Sequence, residues 1–429
     1  MTNRILGLII ISILLLIIDF YILKALKSVK WKWKPKKYLS FSKIWWGYTI
    51  ILIIGVFISI FFNIKFLFRT IILVSFFLTF VSKIFILPFL MFDDLRRAFI
   101  WTKRKYLTKS EKEHIDDSKK ENAIPRSEFL IKTGTLIAAL PLGSLSYGIV
   151  SSAYDYQIKK QVLYLPSLPK AFEGITIAQL SDIHSGSFYD RKAVLGGVEM
   201  LLKEKPELVF FTGDLVNNLA SEMRDYQDIF SKVKAPLGIY SVLGNHDYGD
   251  YQFGFGPSAV KAKNLADVKA THKNMGWDLL LNENRTIKIS GEEISIVGIE
   301  NWGVGRFAKY GKLDEALKNT DDKPVKLLLS HDPSHWRAQV LANYPQIDAM
   351  FSGHTHGMQF GIVTEQFQWS PAQYVYKEWS GRYQEGSQQL YVNVGYGFLG
   401  YPGRVGMLPE ITIFELRQGD PSSINEHNS

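Results

Sequence analysis

The chain has 429 residues, 47% of them hydrophobic, and no cysteine. The missing cysteine excludes disulfides, thiolate metal sites and cysteine nucleophiles, and an apolar content that high excludes a disordered chain. Residues 1–154 carry 23 Lys and Arg against 9 Asp and Glu, whereas the remainder carries 27 against 32, so the overall +9 belongs entirely to the N-terminal third and the mildly acidic remainder offers no basis for a nucleic-acid partner.

The first element is an almost unbroken apolar run, Ile5–Leu23, long enough to cross a hydrocarbon core of about 30 Å. One Arg precedes it and no small-residue cleavage pattern follows, so it reads as an anchor and not a removed signal. Its one charge, Asp19, is expected at the interface. Trp45–Phe62 and Thr70–Phe92 are predicted as a second and a third span, with Lys83 expected to snorkel. Thr133–Tyr154 is a fourth candidate, uncharged over 22 residues but holding Pro141 and three glycines.

The loops between these spans suggest an orientation. Lys24–Lys43 contains eight Lys and no acid, with Trp31, Trp33, Trp45 and Trp46 at interface positions, and Asp93–Lys132 contains eleven Lys and Arg. Placing both basic loops in the cytoplasm, against anionic lipid, gives four spans with the rest of the chain exoplasmic. If the fourth stretch does not cross, the remainder stays cytoplasmic. The expected organisation is a membrane region over 1–154, an extended linker over 155–170, one large soluble domain over 171–417 and a polar tail over 418–429.

In the soluble part, short β-rich runs alternate with helical patterns. Strands are predicted at Ile175–Leu180, Leu208–Thr212, Ile239–Leu243, Ile294–Ile299, Val325–Leu329, Ile347–Phe351, Leu390–Asn393 and Ile411–Leu416, with helices near Lys192–Lys203 and Tyr226–Val233. This pattern predicts a layered α/β architecture, whose chemistry sits on loops past the strand C-termini. Polar clusters fall at those positions. The turns hold Ser181-Asp182-Ile183-His184, Gly213-Asp214, Gly244-Asn245-His246-Asp247, Ser330-His331-Asp332 and Ser352-Gly353-His354-Thr355-His356-Gly357.

Five of the nine histidines lie in these turns. A single strand-end Asp or His is ordinarily a cap or a satisfied side chain; five such turns along one sheet edge are not explained that way. Asp182 and His184 are two residues apart, so on an extended strand end they share a side and can chelate one ion, and His354 and His356 repeat the spacing. Carboxylate, amide and imidazole donors without thiolate suit Mn, Fe or Zn better than Ca. The glycines before Asp214, Asn245 and His354 permit sharp turns.

Taken in order, Asp-x-His, Gly-Asp, Gly-Asn-His-Asp, a single His and Gly-His-x-His resemble the calcineurin-like metallophosphoesterase superfamily over roughly Gly174–Leu416. The segment from Asn393 through Pro402-Gly403-Arg404 to Pro409-Glu410 resembles the closing part of a membrane-anchored bacterial subgroup, although Gly357-Met358-Gln359 stands where that subgroup often has two glycines. The resemblance implies a four-layer α-β-β-α sandwich following the transmembrane helical region. It implies two divalent metal ions: Asp182, His184 and His356 on the first, Asp214 bridging, and Asn245, His331 and His354 on the second. His246 would face the substrate phosphate, with Asp247 as its orienting partner. A metal-activated hydroxide would attack phosphorus in line.

The substrate class is less determined. The loop Tyr248–Gly256 and the insertion Phe367–Tyr383, with Trp369, Tyr374, Tyr376, Trp379 and Tyr383, are either loop and core aromatics or an apolar rim at the bilayer where a lipid headgroup enters. Arg404 would clamp a second phosphate or pair with an acid. The resemblance also implies UDP-2,3-diacylglucosamine pyrophosphate hydrolysis in lipid A synthesis, whose nucleotide substrate is cytoplasmic, against the four-span orientation. A non-catalytic metal-binding membrane module would be expected to have lost ligands, and the whole set is present. A nuclease would call for a basic groove.

Overall fold

The computed structural model describes residues 2–29, 35–62, 64, 66–107, 126–364 and 366–420. Trp31, Trp33, the surrounding lysines and residues 421–429 of the expected tail lie outside the described residues. The chain divides into two compact units, Met1–Tyr147 and Gly148–Ser429.

In the first unit, continuous apolar sequence gives helices long enough to cross a bilayer: α1 (Thr2–Ser28), α2 (Pro35–Phe61), α3 (Phe66–Leu107) and α4 (Glu128–Val150). The third helix does not stop at Phe92. It runs on for 42 residues in all, about 60 Å at 1.5 Å per residue, because Asp93–Leu107 lacks any Gly or Pro to end it. Asp19 and Lys83 depart from expectation more sharply. Both are buried among the helices. Their charged ends meet at 2.6 Å, and the Thr49 hydroxyl on α2 donates to Asp19 at 2.6 Å. Mutual neutralisation inside the bundle avoids leaving either ion alone in a low-dielectric medium.

In the second unit, fourteen short strands are described: β1 (Gln157–Leu165), β2 (Thr176–Leu180), β3 (Leu208–Phe211), β4 (Ile239–Ser241), β5 (Asp278–Leu279), β6 (Glu283–Ile289), β7 (Glu292–Gly298), β8 (Lys326–Leu329), β9 (Ala349–Ser352), β10 (Ile362–Val363), β11 (Gln368–Trp369), β12 (Gly381–Glu385), β13 (Gln388–Val392) and β14 (Glu410–Gln418). Apart from the β10–β11 ribbon they form two six-stranded mixed sheets, ordered β1-β14-β2-β3-β4-β5 and β12-β13-β9-β8-β7-β6.

Three apolar clusters separate four layers. Alternate residues of each buried strand serve opposite faces. On β3, Leu208 and Phe210 join the cluster between the sheets, while Val209 and Phe211 join the one beneath α5 (Arg191–Lys203) and the helix Ala259–Met275. On β8, Leu327 and Leu329 point between the sheets, and Leu328 faces Trp336 and Val340 on the far side. The α-β-β-α sandwich is thus set by period-two burial of runs that read as uniformly hydrophobic.

The segment expected as a linker is the clearest departure. Residues 157–165 pair in parallel with β14 along its whole length, from Gln157 opposite Glu410 to Leu165 opposite Gln418. Lys159, Lys160 and Gln161 mask the strand pattern; the gain comes from pairing with β14, about 250 residues away, and from burying Leu163 and Leu165.

Candidate metal centre

Strands β2, β3 and β4 run parallel in one sheet, and β8 and β9 run parallel in the other. The turns at their C-terminal ends meet. Two groups of side chains there have atoms close enough to hold an ion each: Asp182, His184 and His356, and Asp214, His331 and His354. Between them lies Asp214, whose Oδ2 is 3.4 Å from His184 Nε2 and 3.2 Å from His331 Nε2. His356 Nε2 lies 3.2 Å from Asp182 Oδ1. Asn245 Oδ1 lies 2.9 Å from His354 Nδ1, which brings the amide to the second group. All seven residues expected as ligands therefore converge.

The backbone shows what this convergence costs. Asp182, His184, Asp214, His354 and His356 all have φ between +47° and +75°, a left-handed conformation that side chains adopt at roughly 1–3 kcal/mol each. Such strain persists only where surrounding contacts over-determine it. The His354 amide donates to Asp182, and the Asp182 and His184 amides donate to the carbonyls of Gly213 and Asp214. Space is equally tight. A Cβ on Gly353 would collide with the Ser181 hydroxyl and an Asp182 carboxylate oxygen, and one on Gly244 with an Asp214 oxygen.

The electrostatics fit divalent cations. Burial pushes the His184 imidazole down to about 3, so the ring is neutral and one nitrogen offers a lone pair, and neither ring nitrogen has a hydrogen-bond partner. Burial opposes protonation of His331, but Asp214 and Asp182 beside it hold it up to about 10. Its Nδ1 lies 2.7 Å from the Thr212 carbonyl, which orients Nε2 toward Asp214. Two buried carboxylates, orphaned imidazole nitrogens and no thiolate form a donor set that suits Mn, Fe or Zn.

The residues expected to act beside the metals have three different fates. His246 packs edge-on against His184 with ring centroids 5.0 Å apart, and its Nδ1 lies 2.8 Å from the Asn217 carbonyl. Its partner is thus a backbone oxygen. Asp247 does not orient His246: its carboxylate accepts from the amides of Gly244, Asp214, Leu215 and Val216 at 2.9–3.2 Å. It bolts the Gly-Asp turn to the Gly-Asn-His-Asp turn. Arg404 is fully buried. It donates to the carbonyls of Val394, Gly395, Gly397 and Met407 and lies 3.3 Å from His356 Nδ1. A guanidinium with that many carbonyl partners is a loop clamp.

The aromatic segments divide. Trp379 and Tyr248 are core. Tyr251 stacks on His246 at 4.5 Å and accepts from the Asn245 amide, while Phe307, which carried no sequence signal, stands edge-on to His354 at 4.8 Å. Tyr376 reaches His354 Nε2 at 2.8 Å. Met358, Phe360, Ile362, Val363, Phe367, Tyr374 and Val375 are exposed in one stretch following the His354–His356 turn.

Residues 3–153 match a family model described as a probable calcineurin-like phosphoesterase transmembrane domain, and residues 175–358 match one described as calcineurin-like phosphoesterase. The chain is 30% identical over 298 residues to an uncharacterized metallophosphoesterase, YkuE, of Bacillus subtilis, an alignment covering 66% of this chain and 95% of that protein. It is 28% identical over 283 residues to a transmembrane protein with metallophosphoesterase domain from Danio rerio, covering 63% of this chain and 60% of the other. With an uncharacterized metallophosphoesterase of Helicobacter pylori it shares 26% identity over 279 residues, covering 64% and 68%.

Proposed function

The chain belongs to the calcineurin-like phosphoesterase family, and from that premise we propose a membrane-anchored, two-metal phosphoesterase acting on a phosphoester or pyrophosphate bond of a lipid-linked or membrane-proximal substrate. The observation that carries this reading is the convergence of Asp182, His184, Asp214, Asn245, His331, His354 and His356 from five strand ends. In this reading Asp182, His184 and His356 would hold one ion, Asn245, His331 and His354 would hold the other, and Asp214 would serve both. Two divalent cations so held supply Lewis acidity, which lowers the pKa of water and neutralises charge on phosphoryl oxygens.

The protein's own part is to fix the donors and to handle the leaving group. His246, with Nδ1 against the Asn217 carbonyl, presents Nε2 to the departing oxygen, where an imidazolium donates a proton. Neutral Asn245, in place of a carboxylate, leaves the site more positive.

The lipid-linked class is supported by two features: the apolar helices of the first unit and the exposed apolar stretch from Met358 to Val375 beside the ligand turn. With four spans and cytoplasmic basic loops, the catalytic domain lies on the exoplasmic side of a bacterial cytoplasmic membrane. That orientation disfavours a cytoplasmic nucleotide substrate.

The test is hydrolysis of bis(4-nitrophenyl) phosphate by the solubilised full chain. Activity should vanish with chelator, return with Mn²⁺ and fall in acid as ligands protonate. His246→Ala should lose at least about 100-fold in turnover while retaining both ions. Chelator-resistant turnover at pH 4 would overturn the reading. A reporter fused after Glu426, read on both sides of the membrane, tests the orientation.

A further inference from the structure

His354 has two ring nitrogens with distinct surroundings. Nδ1 faces the second group, 2.9 Å from Asn245 Oδ1 and 3.3 Å from His331 Nε2. Nε2 faces away from it, 2.8 Å from the Tyr376 hydroxyl and 3.5 Å from Asp332 Oδ2. Asp332 is buried; its Oδ1 accepts from the Ser334 amide, while Oδ2 has no hydrogen-bond partner of its own. A buried carboxylate oxygen left open beside an imidazole is explained if that nitrogen carries the proton; Nδ1 and the Asn245 oxygen beside it, neither then having a proton to give the other, are both left as donors to a cation.

The two residues arrive by different routes. Asp332 follows His331, so one turn supplies a ligand of the second group and an acceptor for another ligand. Tyr376 comes from the aromatic insertion, which is fastened to the His354–Gly357 turn on both sides. The Ser370 hydroxyl donates to the Gly357 carbonyl at 2.7 Å, and the Thr355 hydroxyl donates to the Trp379 carbonyl at 2.6 Å.

We infer that Tyr376 and Asp332 are positioning residues that hold His354 in the Nε2–H tautomer, with the Nδ1 lone pair aimed at the second cation. The inference rests on the two-metal reading above. Nε2–H donates to the Tyr376 oxygen, with Asp332 as the longer partner. Fixing the tautomer spares the imidazole the cost of reorienting when it ligates, and removal of such outer partners costs about 10–100-fold in metal affinity.

The test is Mn²⁺ titration of metal-stripped, full-length protein in detergent, followed by electron paramagnetic resonance. In wild type, the second equivalent should convert a mononuclear six-line spectrum into an exchange-coupled dinuclear one. Tyr376→Phe, which keeps the ring, and Asp332→Asn should each weaken the second equivalent about 10-fold or more and leave the first unchanged. His354→Ala sets the limit of complete loss, and Tyr374→Phe, an exposed neighbour on the same insertion, should match wild type. Retention of the wild-type second-site midpoint by Tyr376→Phe overturns the role of Tyr376, whether or not Asp332→Asn folds. If wild type takes up fewer than two ions, the two-metal reading fails and this inference falls with it.

Discussion

Removing half of the Asp247 carboxylate separates a structural role from a chemical one. Oδ2 accepts from the amides of Asp214 and Gly244 at 3.0 and 2.9 Å, and Oδ1 accepts from Leu215 and Val216 at 2.9 and 3.2 Å. In Asp247→Asn, either orientation of the amide keeps one pair and turns an NH₂ toward the other. Two charge-assisted hydrogen bonds at about 1.5–3 kcal/mol each put the loss at about 3–6 kcal/mol. At about 2–4 °C per kcal/mol, the catalytic domain should melt about 6–24 °C below wild type. In the orientation that turns the NH₂ toward Asp214 and Gly244, the amide of a candidate ligand is released, and metal loading should weaken as well. Thermal unfolding monitored by tryptophan fluorescence, paired with metal content after gel filtration, measures both. An unchanged midpoint and full metal content alongside a large fall in turnover would refute the bolt and return Asp247 to orienting His246.

Arg404→Lys replaces a fork spanning four carbonyls with a point charge; the thermal midpoint should fall, by about 3 kcal/mol in stability, while KM for a soluble phosphodiester stays at its wild-type value, and the opposite split would make Arg404 a substrate clamp. Burial holds His272 down to about 3 and His335 down to about 4. Below about pH 6.5 the unfolded chain protonates both imidazoles and the folded chain does not, so stability falls as pH drops, by about 2 kcal/mol per histidine at pH 5. His272→Gln should shrink the difference in melting temperature between pH 7 and pH 5, and an undiminished difference would count against this origin. In the first unit, Lys83→Met leaves the Asp19 carboxyl with the Thr49 hydroxyl but no counter-ion and should cost about 3–5 kcal/mol, whereas Asp19→Leu with Lys83→Met should recover most of it. Equal melting of the single and double variants in detergent would contradict the pairing.

The sequence by itself determined whatever depends on local order. Continuous apolar runs specify spanning helices without reference to a partner, and short apolar runs flanked by Gly and Asp specify buried strands with polar turns after them. Because side chains of metal-ligating type are concentrated in those turns, the seven residues from Asp182 to His356 were legible as one candidate constellation. Partners distant along the chain were decided only by tertiary structure. Strand β1 exists through β14, and Asp19 and Lys83 neutralise each other across 64 positions. Arg404 is spent on carbonyls of a loop that its own composition leaves open, and Asp247 on amides of a turn more than thirty residues away. Tyr376 reads as one aromatic among several, until folding brings its hydroxyl to His354. The physical reason is common to all of them: a buried polar group must be satisfied, but its identity does not say by whom.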